Sequence, residues 1–137
     1  MSGGTNVYLL ATNIFLELLL DQEEAASVQV LLNTQAPGDL RISDLAFHSI
    51  GIILYQKKAA HLFSVFVRDL FGEGGITILS LTTEDIERVE QVASAFGLDF
   101  DDAYQYIVAE KFDLVLVSFD TDFDRTDKKR VTPVGIQ

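Results

Sequence analysis

The sequence predicts an α/β fold of three layers, a mainly parallel central sheet with helices on both faces. Short apolar runs at Val7–Leu10, Leu40–Ile42, Ile76–Leu79 and Leu114–Val117 alternate with longer stretches of helical periodicity. Leu114–Val117 is wholly apolar and mixes leucine with β-branched valine, as a strand buried on both faces does. Strands that alternate with helices pair in parallel through crossovers, and those crossovers cover the sheet. A chain of 137 residues fits one domain, 1–137, and can bury a real core. Residues 1–5 are expected to be a flexible tail.

Val7–Leu10 is expected to be the first strand, and Thr12 to cap a helix running through Leu20. A helix over Glu23–Thr34 follows from the spacing of Ala26, Val30 and Leu31. Ala36-Pro37-Gly38-Asp39 reads as a turn before the strand Leu40–Ile42. Ser43 or Asp44 then caps a helix towards Tyr55. Lys58–Phe71 carries Leu62, Phe63, Phe66, Val67 and Leu70 on one side, and Gly72–Gly75 stops it. After Ile76–Leu79, Thr82-Thr83-Glu84-Asp85 opens a helix to Phe96, with Gly97 as its stop. Asp99 or Asp101 starts a helix through Lys111, and Arg130–Val134 is expected to form a last edge strand.

Composition narrows the chemistry. The formal charge is −11, and only Lys128, Lys129 and Arg130 form a basic run. The chain therefore lacks the basic stripe with which duplex-binding proteins release phosphate counterions. Polyanions are expected to bind only through a cation or a local basic patch; otherwise the acids are a solvated surface. There is no cysteine, which excludes disulfides and thiolate metal sites and agrees with a reducing cytoplasm. No apolar run reaches the roughly 18 residues that span a bilayer, and no basic segment precedes Ile14–Leu20, so neither membrane insertion nor a signal peptide is expected.

Acids gather where the strands end. Leu114–Val117 leads into Ser118, Asp120, Asp122 and Asp124, and Asp99, Asp101 and Asp102 cluster at a helix start. One helix cap needs one acid, so the excess points Asp102 into a site, with Asp101 as cap or outer partner. Carboxylates crowded at the carboxyl ends of parallel strands lie where such sheets bind ligands. Hard divalent cations with oxygen ligands, Mg²⁺ or Mn²⁺, neutralise such groups. The bland reading of Asp120 and Asp122 is a solvated turn, with Asp124–Arg125 as a local ion pair. Asp44 and His48 share a helix face, Asp44 as a cap and His48 as a half-buried polar group. His61 reads as surface, and Tyr104 and Tyr106 as packing residues.

Four blocks, Val7-Tyr8-Leu9-Leu10-Ala11-Thr12-Asn13, Ile42-Ser43-Asp44-Leu45, Asp101-Asp102-Ala103 and Ser118-Phe119-Asp120-Thr121-Asp122-Phe123, resemble in order and spacing those of PIN-domain nucleases. The nearest kin by this resemblance are VapC-type toxins of prokaryotic toxin–antitoxin pairs. The resemblance implies a metal-dependent endoribonuclease that acts on RNA, forms homodimers and is restrained by a cognate antitoxin. It places Asp102 at the helix-start metal acid and Asp120 at the acid after the fourth strand, with Asp122 beside it. Asn13, with Ser118, stands as site support. Two positions depart from the pattern. Ala11 stands where the family has its first metal-binding Asp, and Ser49 where it has Glu, with His48 adjacent and Asp44 as a substitute. A methyl group cannot ligate a cation, so the chain is expected to be an impaired or inactive nuclease. Intact Thr12 and Asn13 point to a single exchange at position 11, whether introduced or natural.

Two alternatives remain. One is a catalytically silent PIN-like domain that binds a protein partner. The other is a phosphatase of the haloacid dehalogenase type, whose nucleophile block Leu114–Asp122 imitates. That block precedes most of its domain, yet only 15 residues follow Asp122 here.

Overall fold

The computed structural model describes residues 6–72 and 75–136, so the expected tail at 1–5 lies outside the described residues. The elements run β1 (Tyr8–Leu10), α1 (Thr12–Leu19), α2 (Ala25–Thr34), β2 (Leu40–Ser43), α3 (Asp44–Gln56) and α4 (Ala60–Leu70). They continue with β3 (Thr77–Leu79), α5 (Thr83–Ile86), α6 (Val89–Phe96), α7 (Phe100–Lys111) and β4 (Val115–Val117). The four strands lie in the order β3-β2-β1-β4, and every pairing is parallel.

Alternation along the strands divides the core between two layers. Leu9 and Leu116 face α6 and α7, among Val92, Ile107 and Phe123. Leu10 and Val117 face the other layer, among Ile14, Val28, Ile50 and Phe66. The chain winds outward from β1 through β2 to β3, then crosses to place β4 on the other side of β1. The switch point is therefore between β1 and β4, where open parallel sheets hold their ligands. Ala11 and Ser118 follow these two strands directly, and the Ala11 N–H donates to the Val117 carbonyl at 3.0 Å.

Several boundaries differ from the sequence reading, each for a local reason. Ala11, not Thr12, takes the cap position of α1 and offers no side-chain acceptor; Thr12 is already helical. α4 starts at Ala60 rather than Lys58 because Lys58, at φ 59°, ends α3 in the left-handed conformation. The expected helix from Thr82 to Phe96 is two helices, because the ladder tightens where Arg88 N–H bonds to the Asp85 carbonyl. Gly97, at φ 67°, ends α6 as the sequence suggests. The expected edge strand Arg130–Val134 is reduced to one parallel bridge between Val117 and Val131, and a 3₁₀ turn at Pro133–Ile136 follows. Proline has no N–H to continue a ladder.

Candidate metal centre

The site is assembled at the β1–β4 switch point from two helix starts and one loop. Asp99 caps α7 by accepting from the Asp102 N–H at 2.9 Å; of the two caps the sequence offered, Asp101 is not the one used. Asp102 sits in the first turn of α7 with its carboxyl turned to the cleft. Asp120 follows β4 and caps the turn Thr121–Arg125, accepting from the Asp122 N–H at 2.8 Å. Ser118, fully buried, fixes this loop: its Oγ accepts from the Asp120 N–H at 3.0 Å and from Asn13 Nδ2 at 3.1 Å. Asn13 Oδ1 accepts from the Phe119 N–H at 3.2 Å, so one amide ties α1 to the end of β4.

Asp102, Asp120 and Asp122 each bring a carboxylate oxygen within 4.8 Å of the others. They line an open cleft of about 280 Å³ together with Ala11 and Asp101. Burial, then the negative charge of Asp120, pushes the Asp102 carboxyl up to about 7. Burial also raises Asp101, against the opposing pull of the nearby Gln105 amide. No basic side chain hydrogen-bonds to Asp102 or Asp120 among the described residues, whereas Arg125 donates to Asp122 at 3.1 Å. Three converging, poorly neutralised hard oxygens fit Mg²⁺ or Mn²⁺ in donor type, with Ala11 adding nothing to the set.

Other candidates lie elsewhere. Asp44 is outside the group of three: its carboxylate accepts from the Tyr104 hydroxyl at 2.7 Å and from the Leu45 N–H at 2.8 Å. Ser43, not Asp44, caps α3. Tyr104 is more than a packing residue, since its oxygen also accepts from the Leu81 N–H. His48 is exposed rather than half-buried, His61 is exposed, and Ser49 does not line the cleft. The expected Asp124–Arg125 pair is replaced by two others: Arg130 holds Asp124, and Arg125 holds Asp122. Arg125 also donates to the Phe96 and Gly97 carbonyls, clamping the end of α6. Its i,i+3 spacing from Asp122 was the only signal in the sequence. Gln105 lines the cleft but reads in the sequence as an ordinary helical residue, and Thr12, which also lines it, reads there as a helix cap.

The PIN domain model matches residues 8–129. This chain belongs to the PIN domain family. No match was found among curated protein sequences. Among solved structures, the chain resembles VapC20 of Mycobacterium tuberculosis, described as a sarcin–ricin loop cleaving toxin, at TM-score 0.78 and 14% identity, covering 92% of this chain and 99% of that one. A toxin–antitoxin complex from Klebsiella pneumoniae gives TM-score 0.72 and 19% identity over 92% and 97% of the two chains. FitAcB from Neisseria gonorrhoeae gives TM-score 0.71 and 17% identity over 93% and 99%. At these identities the likeness speaks for the PIN fold. Within that fold, β1 and β4 are the strands whose ends carry Ala11 and Asp120.

Proposed function

We propose that this PIN domain is an endoribonuclease of the toxin type, dependent on Mg²⁺ or Mn²⁺ and impaired as it stands by Ala11. The observation that carries the proposal is the convergence of Asp102, Asp120 and Asp122 at the switch point beside Ala11. These three carboxylates would hold the cation. When bound, it would supply an activated water and charge stabilisation at a phosphate. The chain's own residues do the rest. Asn13 and Ser118 fix the β4 end, Arg125 orients Asp122, and the open cleft admits a bent backbone. Single-stranded or looped RNA has such a backbone. The basic run gives a polyanion little direct help, since Arg130 is spent on Asp124 and on the Ser118 carbonyl. A toxin-type role is supported by the likeness to VapC20 and to the Klebsiella toxin–antitoxin complex.

The test is cleavage of a panel of structured and unstructured RNAs, with metal and with chelator. The chain should cut very slowly or not at all. Ala11→Asp should raise metal-dependent cleavage by several orders of magnitude, because nucleophile generation and charge stabilisation are each worth roughly several kcal/mol of barrier. Adding Asp102→Asn should abolish it again. Metal-independent cutting by the parent would overturn the mechanism.

A protein partner belongs to the same reading. Ile52 and Tyr55 are 58% and 63% exposed and adjoin half-buried Phe47 and Phe63 on α3 and α4, while Phe66 is core. We assign this apolar face to a second copy or to a cognate antitoxin in the cytoplasm. Ile52→Lys should shift sedimentation toward monomer, or abolish antitoxin capture, with stability unchanged within about 0.5 kcal/mol. A parent that is monomeric and captures no antitoxin would remove the assignment. If the Ala11→Asp variant cuts nothing across the panel, the same face favours the silent protein-binding domain instead.

A further inference from the structure

Gln105 breaks the pattern of its helix. α7 buries every residue from Ala103 to Ala109, and Gln105 is the one amide among them. It is 2% exposed, and neither its Nε2 nor its Oε1 has a hydrogen-bond partner. A buried amide without partners is costly, and buried polar groups are kept unsatisfied where something else completes them.

Its position says what that something is. Gln105 lies three residues beyond Asp102, on the same helix face, and lines the same cleft as Ala11, Asp102 and Asp120. Thr12 Oγ1 and Asp101 Oδ1, in the same lining, are also buried without partners. The amide is close enough to Asp101 to favour its ionised form, yet makes no hydrogen bond to it. The cleft thus holds three converging carboxylates, a methyl group at position 11 and an idle amide. An amide carbonyl is a hard, neutral oxygen of the kind that divalent cations accept beside carboxylates.

We propose that Gln105 lends its side-chain carbonyl oxygen to a divalent cation held by Asp102, Asp120 and Asp122, filling the coordination position beside Ala11 that has no carboxylate. The proposal rests on the cation reading above. It gives the buried amide a partner and the cation an oxygen beside Ala11.

The experiment is a titration of the full chain with Mn²⁺ alone, following the free ion by electron paramagnetic resonance. Gln105→Met keeps the shape and removes the oxygen; Gln105→Leu is the second variant should methionine disturb the helix. Either should weaken Mn²⁺ binding by about tenfold or more, the usual scale for losing a supporting group. Melting in chelator should be unchanged or raised, because an unpartnered amide has been removed. In an Ala11→Asp background the effect of Gln105→Met should shrink to roughly threefold or less, since the carboxylate then occupies that position. Equal Mn²⁺ affinity in parent and Gln105→Met, or an undiminished effect in the Ala11→Asp background, would overturn the proposal. Asp120→Asn separates the two levels: if it binds Mn²⁺ as well as the parent, the cation reading itself is wrong, whatever Gln105 does.

Discussion

Asp85 and Asp102 are both aspartates in the first turn of a helix, and their carboxyls have opposite fates. Asp85 accepts from Lys111 Nζ and from the Thr82 N–H, which lower it to about 2. Asp102 has no such donor, and burial beside Asp120 raises it to about 7. The helix start favours the charged form in both cases, so it does not decide the outcome. Partners decide it. Around the fold, Asp44, Asp85 and Asp124 are each matched by a donor: Tyr104, Lys111 and Arg130. At the β1–β4 switch point the matching stops, and among the described residues only Arg125 pairs with the group of three. Acids that hold the fold together are matched by donors from within, and acids left bare are available to something from outside.

The largest stability effect should come from removing a matched acid. Asp44→Ala leaves the Tyr104 hydroxyl, which also accepts from Leu81, without its acceptor. A part-buried donor left unpaired costs about 1–3 kcal/mol. Urea unfolding should show that loss, and Asp44→Asn, which keeps an acceptor oxygen, should recover part of it. Mn²⁺ binding should not change. A drop in Mn²⁺ affinity would place Asp44 in the cation site and blur the division between the two kinds of acid.

Removing a bare acid should do the reverse. The folded chain keeps a proton on Asp102 up to about pH 7, while the unfolded chain loses it near 3.8. Between those values the folded state binds more protons, so stability falls as pH rises. Water screens the half-buried carboxylate, which leaves about 1–2 kcal/mol of that effect. In chelator, Asp102→Asn should therefore stabilise the protein at pH 7 and flatten its profile between pH 4 and 7. Asp85 runs the other way: its contribution is present above 3.8 and is lost as pH falls towards 2. Unfolding curves at pH 7, 5.5, 4 and 2.5 would show both slopes. A parent whose stability does not change between pH 4 and 7 would count against the repulsion at Asp102.

The same division explains what the sequence could and could not say. Parallel strands were legible because Leu114–Val117 is apolar on both faces, and helix starts were legible where a cap is local, as at Ser43, Thr82 and Asp99. Asp102 and Asp120 are legible because one opens a helix and the other follows a strand at the same edge of the sheet. What failed to show was pairing at a distance. Asp44 meets Tyr104 60 residues away, and the Arg125 clamp on Phe96 spans 29. The burial of Gln105 was equally hidden, because α7 is enclosed on all sides and its sequence does not show which polar side chain is enclosed with it. Ala11 at a helix cap contradicts local preference, which is why the sequence points to Thr12 as the cap instead.

The smallest effect should come from acids that are matched but wet. Glu110 pairs with Arg88 at 2.7 Å, joining α7 to the residue just before α6, and the two side chains are 43% and 49% exposed. Exposed pairs of this kind gain modest Coulomb energy and lose side-chain entropy in forming, so Glu110→Gln should cost about 0.3 kcal/mol and less still in high salt. The contrast with Asp44 is the point of the measurement, because both acids are matched by a partner far along the chain. Tyr104 and Asp44 are half-buried or more, with a backbone N–H also depending on them, whereas water replaces either member of the Arg88–Glu110 pair. If Glu110→Gln destabilised the protein as much as Asp44→Ala, matching by any donor would suffice. Burial would then lose its part in separating the acids that build this fold from those that wait at its edge.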